Sequence, residues 1–147
     1  RGDSTWILAY MITCKRLMVR ARPNVLLQLM SSHVMLANSF IFWKEGRALA
    51  ASFRLNPAVQ AVDLSENFLF DDALVGEEDS EDGILSSLCG KEHLKTLNLS
   101  HCRLGKGASC ASSIRSKSFQ LLTSLVQTCK NLKTLILEGN YITDRGA

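Results

Sequence analysis

The chain has 147 residues, 46% hydrophobic and 21% charged, with a net charge of +3. That is room for one modest core, and nine glycines with two prolines exclude a collagen-like or low-complexity chain. The charge is zoned: residues 1–56 hold eight basic and two acidic side chains, residues 57–82 nine acidic and none basic, and residues 83–147 nine basic and three acidic. A net positive value therefore says little about nucleic acid.

The chain opens at Arg1 without the charged, apolar and small-residue regions of a secretory signal. Its last residues, Asp144-Arg145-Gly146-Ala147, stop inside a repeating pattern, so a fragment of a longer polypeptide is expected. From Pro23 to Trp43 there are 21 residues without a formal charge, near the length of a membrane-spanning helix. Asn24, Gln28, Ser31, Ser32, His33, Asn38 and Ser39 would be expensive in hydrocarbon, and no membrane partner is expected. Cys14, Cys89, Cys102, Cys110 and Cys129 are odd in number, lack C-x-x-C spacing and sit among apolar or small residues. Buried reduced thiols are the simplest reading, and they favour an intracellular compartment.

Four segments share one form. They are Val34-x-Leu36-x-x-Ser39-x-Ile41, Val59-x-x-Val62-x-Leu64-x-x-Asn67-x-Leu69, Leu94-x-x-Leu97-x-Leu99-x-x-Cys102-x-Leu104 and Leu132-x-x-Leu135-x-Leu137-x-x-Asn140-x-Ile142. The anchors Leu36, Leu64, Leu99 and Leu137 are 28, 35 and 38 residues apart, and one 28-residue period earlier falls on Leu8 in Trp6-Ile7-Leu8. Alternation places short strands near 34–36, 62–64, 97–99 and 135–137 with the leucines inward, which accounts for 23 leucines in the chain. Asn67 and Asn140 would turn their amides inward onto backbone groups, with Cys102 filling the same place. After each bend the period lengthens to that of a helix. Ala48, Leu49 and Phe53 form one apolar face before Pro57, and Ile84, Leu85 and Leu88 form another before Gly90. Leu122, Leu125, Val126 and Cys129 form a third behind a Ser118 cap.

This pattern resembles the leucine-rich repeat family, in particular its ribonuclease-inhibitor-like branch, through the L-x-x-L-x-L-x-x-N/C-x-L core and the trailing Ile142-Thr143-Asp144-x-Gly146-Ala147. The resemblance implies an α/β solenoid of about four to five repeats, with short parallel strands on a concave face and helices on a convex one. Residues 34–147 would form it, and residues 1–33 would be a degenerate or N-terminal repeat. Spacings above the family's usual period leave longer loops at 74–83, which is acidic, and at 105–117, which is rich in Ser, Lys and Arg. Two solvated loops are the plain reading; a charged docking lip or a contact between them is the sharper one. Ser80, among Glu77, Glu78, Asp79, Glu81 and Asp82, has the surroundings of an acidophilic kinase site.

The sequence carries no glycine-rich phosphate loop, nucleophile elbow or zinc spacing. Asp71-Asp72 is read as a helix start rather than a metal pair. No catalytic, metal or cofactor residues and no small-molecule substrate are therefore expected. The resemblance implies a non-catalytic module that binds a protein partner, within a larger cytoplasmic, cytoskeletal or ciliary protein. Regulation of an enzyme, as a GTPase activator or a ribonuclease inhibitor, is the alternative. Nucleic acid is disfavoured because the basic residues lack aromatic interleaving and the acidic zone interrupts them.

Partner-binding positions would be the outward strand residues and the rim beyond them. The rows begin with His33, Met35, Ala37 and Ala61, and the partner set is Asp63, Ser65, Glu66, Thr96, Asn98, Ser100, His101, Arg103, Thr134, Ile136, Glu138 and Tyr141. Phe42, Trp43, Phe68 and Phe70 lie in the loops after the strands, where core filling is the expectation, with partial exposure of Trp43 and Phe70 as the alternative.

Overall fold

A computed structural model describes residues 4–77, 82–108 and 115–142. The elements run α1 (Thr5–Arg16), α2 (Pro23–Leu29), β1 (His33–Met35), α3 (Trp43–Leu55), β2 (Ala61–Asp63), α4 (Phe70–Leu74), α5 (Ile84–Leu88), β3 (Thr96–Asn98), α6 (Arg115–Thr128) and β4 (Thr134–Ile136). The strands form one parallel sheet in the order β1-β2-β3-β4, so each passes to its neighbour through helical chain. Val34, Val62, Leu97 and Leu135 share one register row. Leu36, Leu64 and Leu99, each the first residue past its strand, are buried.

The helices form a second layer. Helix α1 packs on α3, α3 on α4 and α5, and α5 on α6. Between the layers lie the strand leucines and valines with Leu49, Phe53, Leu85, Leu88 and Leu125. Helix α3 ends at Asn56, whose Oδ1 accepts from Ala58 N at 3.0 Å, and Pro57 cannot continue the helix. Helix α5 closes before Gly90 at φ +75°. Helix α6 starts at Arg115, so Ser118 lies inside it rather than capping it, and Val126 is exposed while Leu122, Leu125 and Cys129 are buried.

The first 33 residues differ from a repeat. Trp6, Ile7 and Leu8 belong to α1, and the described residues before His33 contain no strand. Tyr10, fully buried, donates from its hydroxyl to Glu45 Oε2 at 2.6 Å. Arg22 pairs with the same carboxylate at 2.8 Å and donates to Ser39 O at 2.7 Å. Helix α2, opened by Pro23 at its first turn, flanks the outer edge of β1. Gln28 Oε1 there accepts from Met35 N at 2.9 Å, and Ser31 Oγ accepts from His33 N at 3.0 Å. Side chains thus satisfy an edge that would otherwise invite another strand.

The bends after the strands are held by the expected inward groups. Asn67, 1% exposed, donates to Leu36 O, Leu64 O and Ser65 O, and accepts from Ser39 N and Ile41 N. Asn140 repeats this one unit on, donating to Leu99 O and Leu137 O and accepting from Cys102 N and Leu104 N. Cys102 donates its thiol to Leu64 O at 2.9 Å, and burial pushes the thiol pKa up to about 12. Among the described cysteines Cys14, Cys102 and Cys129 are buried, Cys89 is half-buried and none is bonded to another; Cys110 lies outside the described residues.

Of the long loops, 78–81 and 109–114 lie outside the described residues, and with them Ser80. The described start of the acidic loop is held from within, by an ion pair of Glu77 with Arg47 of α3 at 2.8 Å. No helix among the described residues is long and apolar enough to cross a membrane.

Candidate protein-interaction face and rim

The sheet face turned away from the helices carries aligned rows. His33, Ala61, Thr96 and Thr134 share one register, and Met35, Asp63, Asn98 and Ile136 the next. Thr96, Thr134, Met35 and Ile136 are exposed, Asp63 and Asn98 half-buried, and Ala61 buried. Ala37, Ser65, Ser100 and Glu138 follow, one to each unit.

Two of these rows are tied together. Asp63 Oδ1 accepts from Ser65 N at 3.0 Å and from Ser65 Oγ at 2.7 Å. Asn98 Oδ1 does the same for Ser100, at 3.0 and 2.8 Å. Both are short polar turns that fix the chain as it leaves the strand. Ser65 is only 6% exposed and its hydroxyl proton is committed to Asp63, so its side chain does not belong to the outward surface expected for it. Thr96, Asn98, Ser100, Thr134, Ile136 and Glu138 are brought onto one face.

The rim is shaped by backbone conformation. Asn38, Glu66, His101 and Gly139, each two residues past an anchor leucine, all have positive φ, between +48° and +70°. At Gly139 a side chain would also strike the His101 ring. Asn38 N donates to Ser65 O, Glu66 N to Ser100 O and His101 N to Glu138 O, which continues the ladder beyond the strands. His101 Nε2 lies 3.7 Å from Glu138 Oε1, both side chains being exposed.

Two residues further along lie Phe40, Phe68, Arg103 and Tyr141; of the aromatics expected to fill the core, Trp43 packs against it, whereas Phe42 does not. Phe40 is 72% and Phe42 57% exposed, while Trp43, Phe68 and Phe70 are half-buried. The Phe42 and Phe68 ring centroids are 5.0 Å apart. The Arg103 guanidinium carbon is 5.0 Å from the Phe68 centroid and 5.4 Å from that of Phe70. Lys106 Nζ lies 5.1 Å from the Tyr141 ring. The signal for this strip was the recurrence of Phe at the same two offsets in successive repeats. A left-handed backbone at Phe40, Phe70 and Arg103, with φ of +53°, +55° and +65°, is the feature a sequence does not display.

Asp71 and Asp72 open α4, as read, and reach the following unit as well. Asp71 Oδ1 accepts from Gly105 N and Asp72 Oδ1 from Ala108 N, both at 2.7 Å. The pair pins one loop to the next. The described residues hold no cluster of three metal-ligating side chains.

Residues 90–107 and 128–147 match the family model described as leucine-rich repeat. The two segments bracket β3 and β4, and their Cys102 and Asn140 occupy the inward place of the bend. This chain contains leucine-rich repeats. Such repeats generally mediate protein–protein interaction and are generally non-catalytic. No curated protein matches the sequence.

Proposed function

We propose that the chain is a non-catalytic protein-binding part of a larger intracellular protein. Its repeats, of the ribonuclease-inhibitor-like kind, would stack into a solenoid with the outward sheet face on its concave side. The observation that carries this reading is the unbroken register of outward rows across four parallel strands, with His33, Met35, Thr96, Thr134 and Ile136 exposed on them. Thr96, Thr134, Ile136 and Glu138 offer small, polar and mildly apolar contacts, and Asn98, Glu66, His101, Arg103 and Tyr141 extend them to the rim. Asp63 contributes mainly by holding Ser65 in place. Each repeat buries its apolar side against its neighbours, which leaves the strand face as the extended surface.

The test compares capture of partners by the full-length parent protein with capture by an Ile136→Asp/Glu138→Lys variant, using Gln120→Lys on exposed α6 surface as control. Capture should fall about tenfold or more for the sheet-face variant and stay level for the control. Equal capture by all three would defeat the assignment of the binding face.

A further inference from the structure

The rim strip supports a more specific assignment, which deepens the protein-binding reading and rests on it. Arg103 is half-buried and packed on two phenyl rings, yet among the described residues its guanidinium makes no hydrogen bond or ion pair. A guanidinium in that setting keeps its planar fork of donors while the rings restrict its motion and shed water around it. The backbone on which it stands is unfavourable. Phe70 and Arg103 both hold left-handed φ, a conformation that side-chain-bearing residues adopt only when the surrounding structure imposes it. Phe70 N is anchored on Cys102 O at 3.0 Å, so the conformation that brings the rings under Arg103 is built into the ladder. Beside it, Phe42 presents more than half of its surface to solvent against Phe68.

We propose that Arg103 is the anchor for a carboxylate side chain of a partner protein, and that Phe42 with Phe68 is the shelf for an aliphatic side chain close to it in the partner's sequence. The occupant is an extended acidic–aliphatic segment. Charge complementarity selects the carboxylate, because a bidentate Arg–carboxylate pair uses the fork that the protein leaves unengaged. Spacing selects the aliphatic neighbour. Phe42 to Phe68 and Phe68 to Arg103 are 5.0 Å each, so the shelf and the anchor lie within about 10 Å, the reach of two or three extended residues. A phosphate polymer fits less well, since Asp63, Glu66 and Glu138 stand on the neighbouring sheet face and rim and would repel a repeating anion.

The test titrates the isotopically labelled protein by NMR with three probes. The first is a capped heptapeptide carrying one leucine two residues before one glutamate among glycine and serine. The second has glutamine in place of that glutamate, and the third is a ten-nucleotide oligouridylate. Saturable shifts of the Arg103 Nε–H and of Phe68 and Phe70 are expected with the first, at least about fivefold weaker binding with the second, and weaker binding still with the third. Arg103→Lys, which keeps the charge and loses the fork, should weaken the glutamate peptide about fivefold with the remaining amide spectrum unchanged. Equal affinity for the two peptides, tighter binding of the oligonucleotide, or no saturable shift up to about 10 mM peptide would each overturn the proposal. Peptide failure combined with loss of capture by the sheet-face variant would remove the anchor and leave the protein-binding reading intact. Peptide binding combined with undiminished capture would do the reverse for the sheet face.

Discussion

Asn67→Ala removes one of the two inward amides, each with five hydrogen bonds, that hold the described bends. Its amide donates to Leu36 O at 2.8 Å, Leu64 O at 2.9 Å and Ser65 O at 3.2 Å. Its carbonyl oxygen accepts from Ser39 N at 3.1 Å and Ile41 N at 2.9 Å. Alanine replaces none of these, and Asn67 is 1% exposed, so water cannot readily substitute. Two backbone N–H groups left without a partner cost roughly 1–3 kcal/mol each, and the three carbonyls add a smaller amount. A loss of about 3–5 kcal/mol follows, a large part of the ~5–15 kcal/mol that stabilises a typical domain. Urea unfolding followed by circular dichroism reads it directly, as a lower midpoint at unchanged slope. The Asn67→Cys variant should recover part of the loss, because Cys102 shows that a thiol at this place can donate to the preceding carbonyl. A loss below about 1 kcal/mol for the alanine variant would refute the reasoning, since it would mean that the bend does not depend on its inward amide.

Arg22→Ala leaves the Glu45 carboxylate, whose side chain is 9% exposed, with Tyr10 and no cation; a loss of about 2–3 kcal/mol and faster hydrogen exchange throughout α1 should follow. Gly46→Ala would place a Cβ 2.6 Å from Ala73 Cβ and 2.8 Å from Leu69 Cδ2, so thermal melting should show a net destabilisation of about 1–2 kcal/mol despite alanine's better helix propensity. Cys102 should resist iodoacetamide in the folded protein while half-buried Cys89 is labelled before it, and peptide mass spectrometry would reveal the contrary order. Because burial raises its folded-state pKa from 9.0 to about 12, the Cys102 thiol supports folding below about pH 9 and loses that support as the pH rises toward 12. The alkaline unfolding midpoint of Cys102→Ser should therefore lie higher relative to its neutral-pH stability than that of the parent.

The strands, their inward leucines and the inward bend residues were legible because each depends on short, fixed offsets along the chain. Leu36, Leu64, Leu99 and Leu137 mark the units, and the Asn67 and Asn140 amides reach backbone two to three residues away as well as the preceding unit. The same local logic placed α3 and α5 and read Asp71-Asp72 as a helix start. Extrapolation failed where partners are distant. Trp6-Ile7-Leu8 follows the period in number, yet α1 is decided by Tyr10 and Cys14 packing against α3 and by the Tyr10–Glu45–Arg22 network across 35 residues of chain. Spacing alone puts Val126 on the apolar face of α6, but it is 55% exposed while Leu122, Leu125 and Cys129 are buried.

The candidate site divides in the same way. The outward rows follow from alternation alone, because residues next to an inward leucine must face the other side of a strand. The burial of Ser65, held on Asp63, and the exposure of Phe42 against the Phe68 ring of the next unit are features of the folded chain that alternation does not display. Residue pattern thus determined the repeating unit and its inward face. Tertiary structure decided how the units meet, and with that which aromatic and cationic side chains reach the rim, because side-chain direction there depends on neighbours about 30 residues away rather than on neighbours in sequence.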